Sequence, residues 1–204
     1  MTDASVSHAR VLAWSGETSP FAASWQKVMM WLFIITDGLL FAGLLAGYGF
    51  VRIASPHWPD RAEIFHLDFI ALMTFILISS SATMATAVGA ARRGDRRAVV
   101  GFILLTILGG LAFLGCQAYE WSSLIGEGAR LTSNPWGVPL FSASFFILTG
   151  FHGSHVLTGV IILSVTAVRS LLGRSSAEGI ELAGLYWHFV DLVWVFIFTL
   201  FYLI

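Results

Sequence analysis

Seven ionisable side chains stand in or beside stretches otherwise fit for hydrocarbon: Asp37, Glu120, His152, His155, Arg169, His188 and Asp191. His152 and His155 fall at i and i+3, so on a helix they share one face, with Leu148 above and Gly159 and Ile162 below. His188 and Asp191 repeat that spacing in Tyr186-Trp187-His188-Phe189-Val190-Asp191, and Trp187 and Trp194 continue the stripe. Imidazoles on two helices could ligate a haem, or a metal such as copper or iron. Against ligation, the last apolar stretch has no second histidine at ligand spacing, and the lone Cys116 reads as packing. A His–Asp pair can instead neutralise itself in lipid. Hydrogen bonding between helices among His152, His155, His188 and Asp191 is therefore the favoured reading, with no metal or haem held by this chain.

Asp37 lies roughly 15 Å along the first apolar run at 1.5 Å per residue, near the middle of a bilayer. An ionised carboxylate there costs at least about 2.5–3.5 kcal/mol. It must face protein or water, be paired, or carry its proton. A protonated Asp bonded across a helix seam and a proton-linked or lipid-contacting carboxylate both remain open. Glu120 closes the third run and is expected to reach the membrane interface or cap the following loop. Gly43 and Gly47 form a GxxxG pair suited to helix packing. Ser79 to Thr86 is a small-residue stripe that lets helices approach while its hydroxyls bond their own backbone.

The elements that must position these groups are membrane spans. Hydrophobic residues make up 57% of the 204-residue chain and charged ones 11%, with a mean hydropathy of +0.81, against about a quarter charged in soluble domains. A net charge of −1 without a clustered basic face excludes a nucleic-acid partner. Five apolar runs, at about 28–51, 69–91, 98–119, 141–168 and 182–204, are each long enough to cross a bilayer as a helix. The fold class expected is all-α: an integral membrane bundle of five transmembrane helices in one domain (residues 25–204), after an N-terminal arm (residues 1–24). The first run is too long for a signal h-region and reads as an anchor that stays. No internal repeat supports an inverted-repeat transporter. Placing Arg10, Lys27, the Arg92–Arg97 turn, Arg169 and Arg174 inside leaves Arg52, Arg61 and Arg130 outside. The positive-inside rule then puts the N terminus in the cytoplasm and the C terminus in the periplasm.

Several stretches together resemble subunit III of the heme-copper terminal oxidases. They are Trp31-Leu32-Phe33-Ile34 with Asp37 and Phe41-Ala42-Gly43-Leu44, then Gln117-Ala118-Tyr119-Glu120-Trp121. Thr149-Gly150-Phe151-His152-Gly153 with His155-Val156, Arg169, and Tyr186-Trp187-His188-Phe189-Val190-Asp191 with Val193-Trp194 complete the set. The match runs over about residues 25–204, in order. The resemblance implies a subunit of an oxygen-reducing, proton-pumping complex of aerobic respiration in the bacterial inner membrane. It implies no catalytic residue in this chain, with haem and copper in partner subunits. It further implies packing against the catalytic subunit I and other oxidase subunits, phospholipid binding, and support of proton uptake and stable turnover. This chain looks like the five-helix form that lacks the first two of seven helices, which puts the lipid cleft framed by that pair in doubt. Asp37 takes the place of the family's buried carboxylate, where Asp resembles the quinol-oxidase branch. The Pro56–Pro59 connection looks more like bacterial cytochrome c oxidases, some of which join a quinol:cytochrome c reductase in a supercomplex. Arg169 stands where the family sets a basic residue against lipid phosphate; it serves equally as a positive-inside anchor. An accessory subunit of nitric oxide reductase and a small proton-conducting protein using Asp37 are the other readings.

Overall fold

A computed structural model describes residues 24–204. The arm before them, with Arg10, Glu17 and Pro20, lies outside the described residues. Five long helices follow one another: α1 (Trp25–Ala54), α3 (Leu67–Arg92), α4 (Arg96–Gly126), α5 (Pro139–Leu171) and α6 (Ala177–Ile197), with the single turn α2 (Arg61–Ile64) between α1 and α3. A π-helical segment, Phe198–Leu203, continues α6. All five long helices are apolar and long enough to cross a membrane, and no strand occurs among the described residues. The helices run past the charge-free runs at their ends, because Trp25, Arg52 and Trp121 are helix-compatible residues that tolerate an interface.

Local chemistry sets the boundaries. Ser24, Asp95 and Ser176 cap α1, α4 and α6, each side chain accepting from a backbone N–H three residues on, at 3.3, 3.1 and 3.0 Å. Helix α3 ends in a Schellman motif: Gly94 takes a φ of +77°, its N–H reaches the Ala91 carbonyl, and the Asp95 N–H reaches Ala90. Gly173 does the same after α5 at φ +70°, and the Arg96 guanidinium lies where a Cβ would project. These tight stops let α3 turn into α4, and α5 into α6, within a few residues.

Helix α6 is the hub. It packs against α1, α3 and α5, while α4 closes the far side between α3 and α5. Lipid tails are as apolar as leucine, so close packing and hydrogen bonding, rather than removal from water, hold helices together here. Trp187 and Trp194 are fully buried on α6. The Trp187 indole N–H donates to Ser80 Oγ at 3.1 Å, and Ser80 donates onward to the Leu77 carbonyl at 2.6 Å. Trp194 repeats the relay through Thr74, at 2.9 Å, to Ile70, at 2.8 Å. The stripe on α3 thus bonds its own backbone, as expected, and through Ser80 also receives the Trp187 indole, while Thr74, which precedes the stripe, receives that of Trp194. It permits contact on its other side too, since a Cβ at Gly109 would stand 2.6 Å from that of Ser80.

Helix α1 differs from the rest. It lies against α5 and α6 only along one edge, and Trp31, Leu32, Phe33, Leu39, Leu40 and Phe50 face outward. Gly43 and Gly47 meet nothing within 4 Å. The GxxxG pair therefore packs against no helix among the described residues. Lys27, Arg92, Arg93, Arg96, Arg97, Arg169 and Arg174 gather at one end of the bundle; Arg52, Arg61 and Arg130 lie at the other.

Gly110 faces Trp187, whose Cη2 would stand 2.5 Å from an added Cβ, whereas Gly115 on the same helix meets nothing. Gly110→Val should destabilise the bundle by about 1–3 kcal/mol through overpacking. Gly115→Val should be near neutral. Thermal unfolding in mild detergent reads the difference, and equal midpoints would show that the α4–α6 seam yields.

Candidate functional site

The seam where α1 meets α5 and α6 holds the deepest charge pair. Asp37 on α1 faces His155 on α5, with Nε2 3.3 Å from Oδ2. The approach is within ion-pair reach but off the line of a hydrogen bond, so Oδ2 has no hydrogen-bond partner. The other imidazole nitrogen, Nδ1, stands 2.9 Å from the Phe151 carbonyl one turn back. A carbonyl only accepts, so Nδ1 must carry a hydrogen. Nε2 is the nitrogen turned toward Asp37, so the seam sets a carboxyl group beside an imidazole at a depth where an unpaired carboxylate is costly. Tyr186 on α6 donates to the His155 carbonyl at 3.2 Å, tying the third helix to the seam. Phe41 and Phe151 flank the imidazole at 5.2 and 4.7 Å between ring centres.

His152, the i−3 neighbour, does not join this pair. It is fully buried, and neither ring nitrogen has a hydrogen-bond partner. Phe113, edge-on at 5.7 Å, and Trp194, at 5.1 Å, enclose it instead. Such surroundings offer only weak N–H to ring contacts.

His188 and Asp191 turn toward α3. Ser81 Oγ lies 2.6 Å from His188 Nδ1, and Asp191 lies near the same hydroxyl, its Oδ1 without a partner. The expected network among the histidines and Asp191 is therefore replaced by separate seams: Asp37 with His155 between α1 and α5, and Ser81 with His188 and Asp191 between α3 and α6. Rotation of α6 explains this. Its Trp187 and Trp194 fill the side facing α4 and α5, which leaves His188 and Asp191 for the small-residue stripe.

Glu120 is also corrected. Rather than reaching the interface it is buried, and Oε2 accepts from Gln117 Nε2 at 2.8 Å and from Tyr202 O–H at 3.1 Å. Tyr202 belongs to the π-helical segment, whose wider turn carries the phenol over α4. Arg169 is exposed at the basic end of α5. At the same end Lys27 and Arg92 both reach Glu181, at 3.0 and 3.5 Å, and Ser24 hydrogen-bonds Glu178. Sequence reasoning passed over Tyr186, Tyr202, Ser81 and Gln117 as site residues. Of these only Gln117 carried a local signal, at i−3 from Glu120.

Beside the Asp37 seam, α1 and α6 part to leave an apolar cleft of about 480 Å³, lined by Gly38, Phe41, Leu45, Phe189, Phe196 and Leu200 among others. No group of three or more His, Cys, Asp or Glu side chains able to hold a metal occurs among the described residues.

The family model for cytochrome c oxidase subunit III matches residues 9–204. Quinol oxidase subunit 3 of Bacillus spizizenii is 38% identical over 179 residues, covering 85% of this chain and 84% of the relative. Cytochrome c oxidase subunit 3 of Corynebacterium diphtheriae is 38% identical over 179 residues, covering 85% of each. Cytochrome c oxidase subunit 3 of Bacillus sp. strain PS3 is 34% identical over 176 residues, covering 85% of this chain and 83% of the relative.

Asp37→Asn keeps a neutral polar group at the seam, and the folded chain should accumulate in membranes nearly as the wild type does. Asp37→Lys sets two cationic candidates face to face and should cost at least about 2.5–3.5 kcal/mol, seen as a several-fold loss of folded chain. Equal recovery of both variants would show the seam to be wet.

Proposed function

We infer the role of this chain from an established premise: it belongs to the cytochrome c oxidase subunit III family, and so to the subunits of bacterial heme-copper oxidases. As such it is a multi-pass protein of the bacterial plasma membrane that associates with other oxidase subunits. Our proposal is that it packs on the catalytic subunit I as a non-catalytic partner, holds phospholipid, and keeps proton uptake and turnover stable. Haem and copper belong to the partner subunits in this reading. No residue of this chain touches the reacting oxygen.

The Asp37–His155 pair carries the proposal. A carboxyl–imidazole pair at a helix seam, beside an apolar cleft of about 480 Å³, suits a group that steadies protons near a neighbouring subunit without conducting them. Support for lipid comes from that cleft between α1 and α6 and from Arg169, exposed at the basic end, where a guanidinium can pair with phosphate. The seven basic residues at that end favour a cytoplasmic position for it, with the C terminus in the periplasm. Helix α1, uncovered on most of its surface, with Gly43 and Gly47 free, is suited to meet helices of another subunit.

For the electron donor we favour cytochrome c, with a quinol:cytochrome c reductase as a supercomplex partner. Quinol is the second reading, favoured by Asp37 itself and by the 38% identity to a quinol oxidase subunit.

Purification of the tagged chain in mild detergent should bring down a haem-bearing subunit, and recovery without haem would overturn the proposal. In the intact oxidase, Asp37→Asn should begin near the wild-type rate and then lose activity several-fold faster per turnover. Oxygen uptake followed to exhaustion measures that decay, and an unchanged lifetime would remove Asp37 from the proton-linked role. Asp191→Leu strips Ser81 of a partner and should reduce retention of the chain with the haem-bearing subunit. Full subunit content after detergent washing would show that the α3–α6 seam is no structural joint.

A further inference from the structure

Two hydrogen-bond donors crowd onto one oxygen of Glu120 and leave the other bare. Gln117 Nε2 donates to Oε2 at 2.8 Å and the Tyr202 O–H at 3.1 Å. Glu120 Oε1 has no partner, nor has Gln117 Oε1, and both atoms are closed off from the surface. The two side chains are buried, at 6% and 5% exposure. A carboxylate spreads its charge over two equivalent oxygens, and each of them calls for donors. A carboxylic acid divides the roles: its carbonyl oxygen accepts and its hydroxyl oxygen donates. The pattern around Glu120 is that of the acid, with Oε2 as the carbonyl and Oε1 as the hydroxyl.

One hydrogen on Oε1 then resolves both orphans. A carboxylic acid beside a primary amide can close a ring of two hydrogen bonds, N–H to carbonyl and O–H to amide oxygen. The first is present as the 2.8 Å contact, and the two unpartnered oxygens are those that the second would join. Exchanging the amide ends of Gln117 does not remove the need for a proton. An amide oxygen would then stand 2.8 Å from Oε2, and two acceptors so close require a hydrogen between them.

The surroundings offer a carboxylate no counter-charge. No Lys or Arg pairs with Glu120 among the described residues. The titratable groups near it are Tyr202 from the π-helical segment, His66 at the head of α3, and Tyr119 and Glu127 from α4 itself. Of these only Tyr202 bonds it, and Glu127 is of like charge. Helix α5 brings Phe145, and α6 brings Trp194, against the Tyr202 ring at 6.4 and 6.0 Å between ring centres; neither titrates.

We propose that Glu120 holds a proton at neutral pH and closes an acid–amide ring with Gln117, on which Tyr202 is seated. The proton is then a structural part, fastening the π-helical segment to α4. Ionisation would set a charged oxygen against the amide oxygen of Gln117 with no room for water, and the joint would open. The fold thus carries a pH-sensitive fastening, closed while the proton is held and released as the medium turns alkaline. It is independent of the Asp37–His155 seam and of the subunits that the chain assembles with.

Infrared spectra of the purified chain in mild detergent test the assignment. At neutral pH the wild type should show a carboxylic-acid carbonyl band that Glu120→Gln lacks, with the carboxylate bands unchanged. Tyr202→Phe removes one of the two donors to that carbonyl and should move the band to higher frequency. That shift keeps the test available if Glu120→Gln fails to fold. Stability supplies a second readout. An unfolded glutamate gives up its proton at about pH 4. Above that the native chain binds the extra proton, so its unfolding midpoint should fall as the pH rises. Glu120→Gln offers an amide N–H in place of the acid O–H, and its midpoint should lack that part of the fall. Loss of carboxylate bands, rather than of an acid carbonyl, in Glu120→Gln would overturn the proposal. So would a band unmoved by Tyr202→Phe, or wild-type and Glu120→Gln midpoints that fall in parallel.

Discussion

A bilayer interior offers no water to a polar group, and this fold answers that constraint by giving most of its buried donors a second helix or their own backbone. The indoles of Trp187 and Trp194 are the largest fully buried side chains, and each would be an unsatisfied donor without α3. Ser80 and Thr74 accept from them and pass their own hydrogens to the preceding turn. Helix α3 therefore supplies both the closeness that dispersion needs and the acceptors that the indoles need. Removing either function would open the hub on which α1, α4 and α5 depend.

The same constraint sets polar neighbours beside most of the ionisable groups inside the described spans. Asp37 faces His155, whose second imidazole nitrogen is engaged with the Phe151 carbonyl. Glu120 is ringed by a phenol and an amide. His188 and Asp191 meet a shared serine hydroxyl. The basic side chains stay at the ends of the bundle, where Lys27 and Arg92 pair with Glu181. Membership in the oxidase subunit III family fits this division of labour: a scaffold with protonatable seams and an uncovered first helix is a partner for a redox subunit.

The five spans were legible from composition because a run of more than about twenty apolar residues has few alternatives to a membrane helix. The polar residues Asp37, His152, His155, His188 and Asp191 were legible as a set, because each is costly at its depth. Their partners were not. Periodicity places residues on a face but does not fix which neighbouring helix that face meets, so the expected network among the histidines resolved into two separate seams. Glu120 was misjudged because a position near the end of an apolar run says nothing of the phenol that a π-helical turn brings over it.

The amino-acid order alone thus determined the number of spans, the family and the residues under electrostatic constraint, since these depend on local hydrophobicity and spacing. Tertiary structure alone decided that Asp37 faces His155, that His152 is sealed among aromatic rings, and that α1 keeps most of its surface uncovered. Those outcomes turn on the rotation of each helix about its axis. That rotation is set by how Trp187 and Trp194 fit between Gly110, Gly159 and the α3 hydroxyls, an arrangement of residues far apart along the chain.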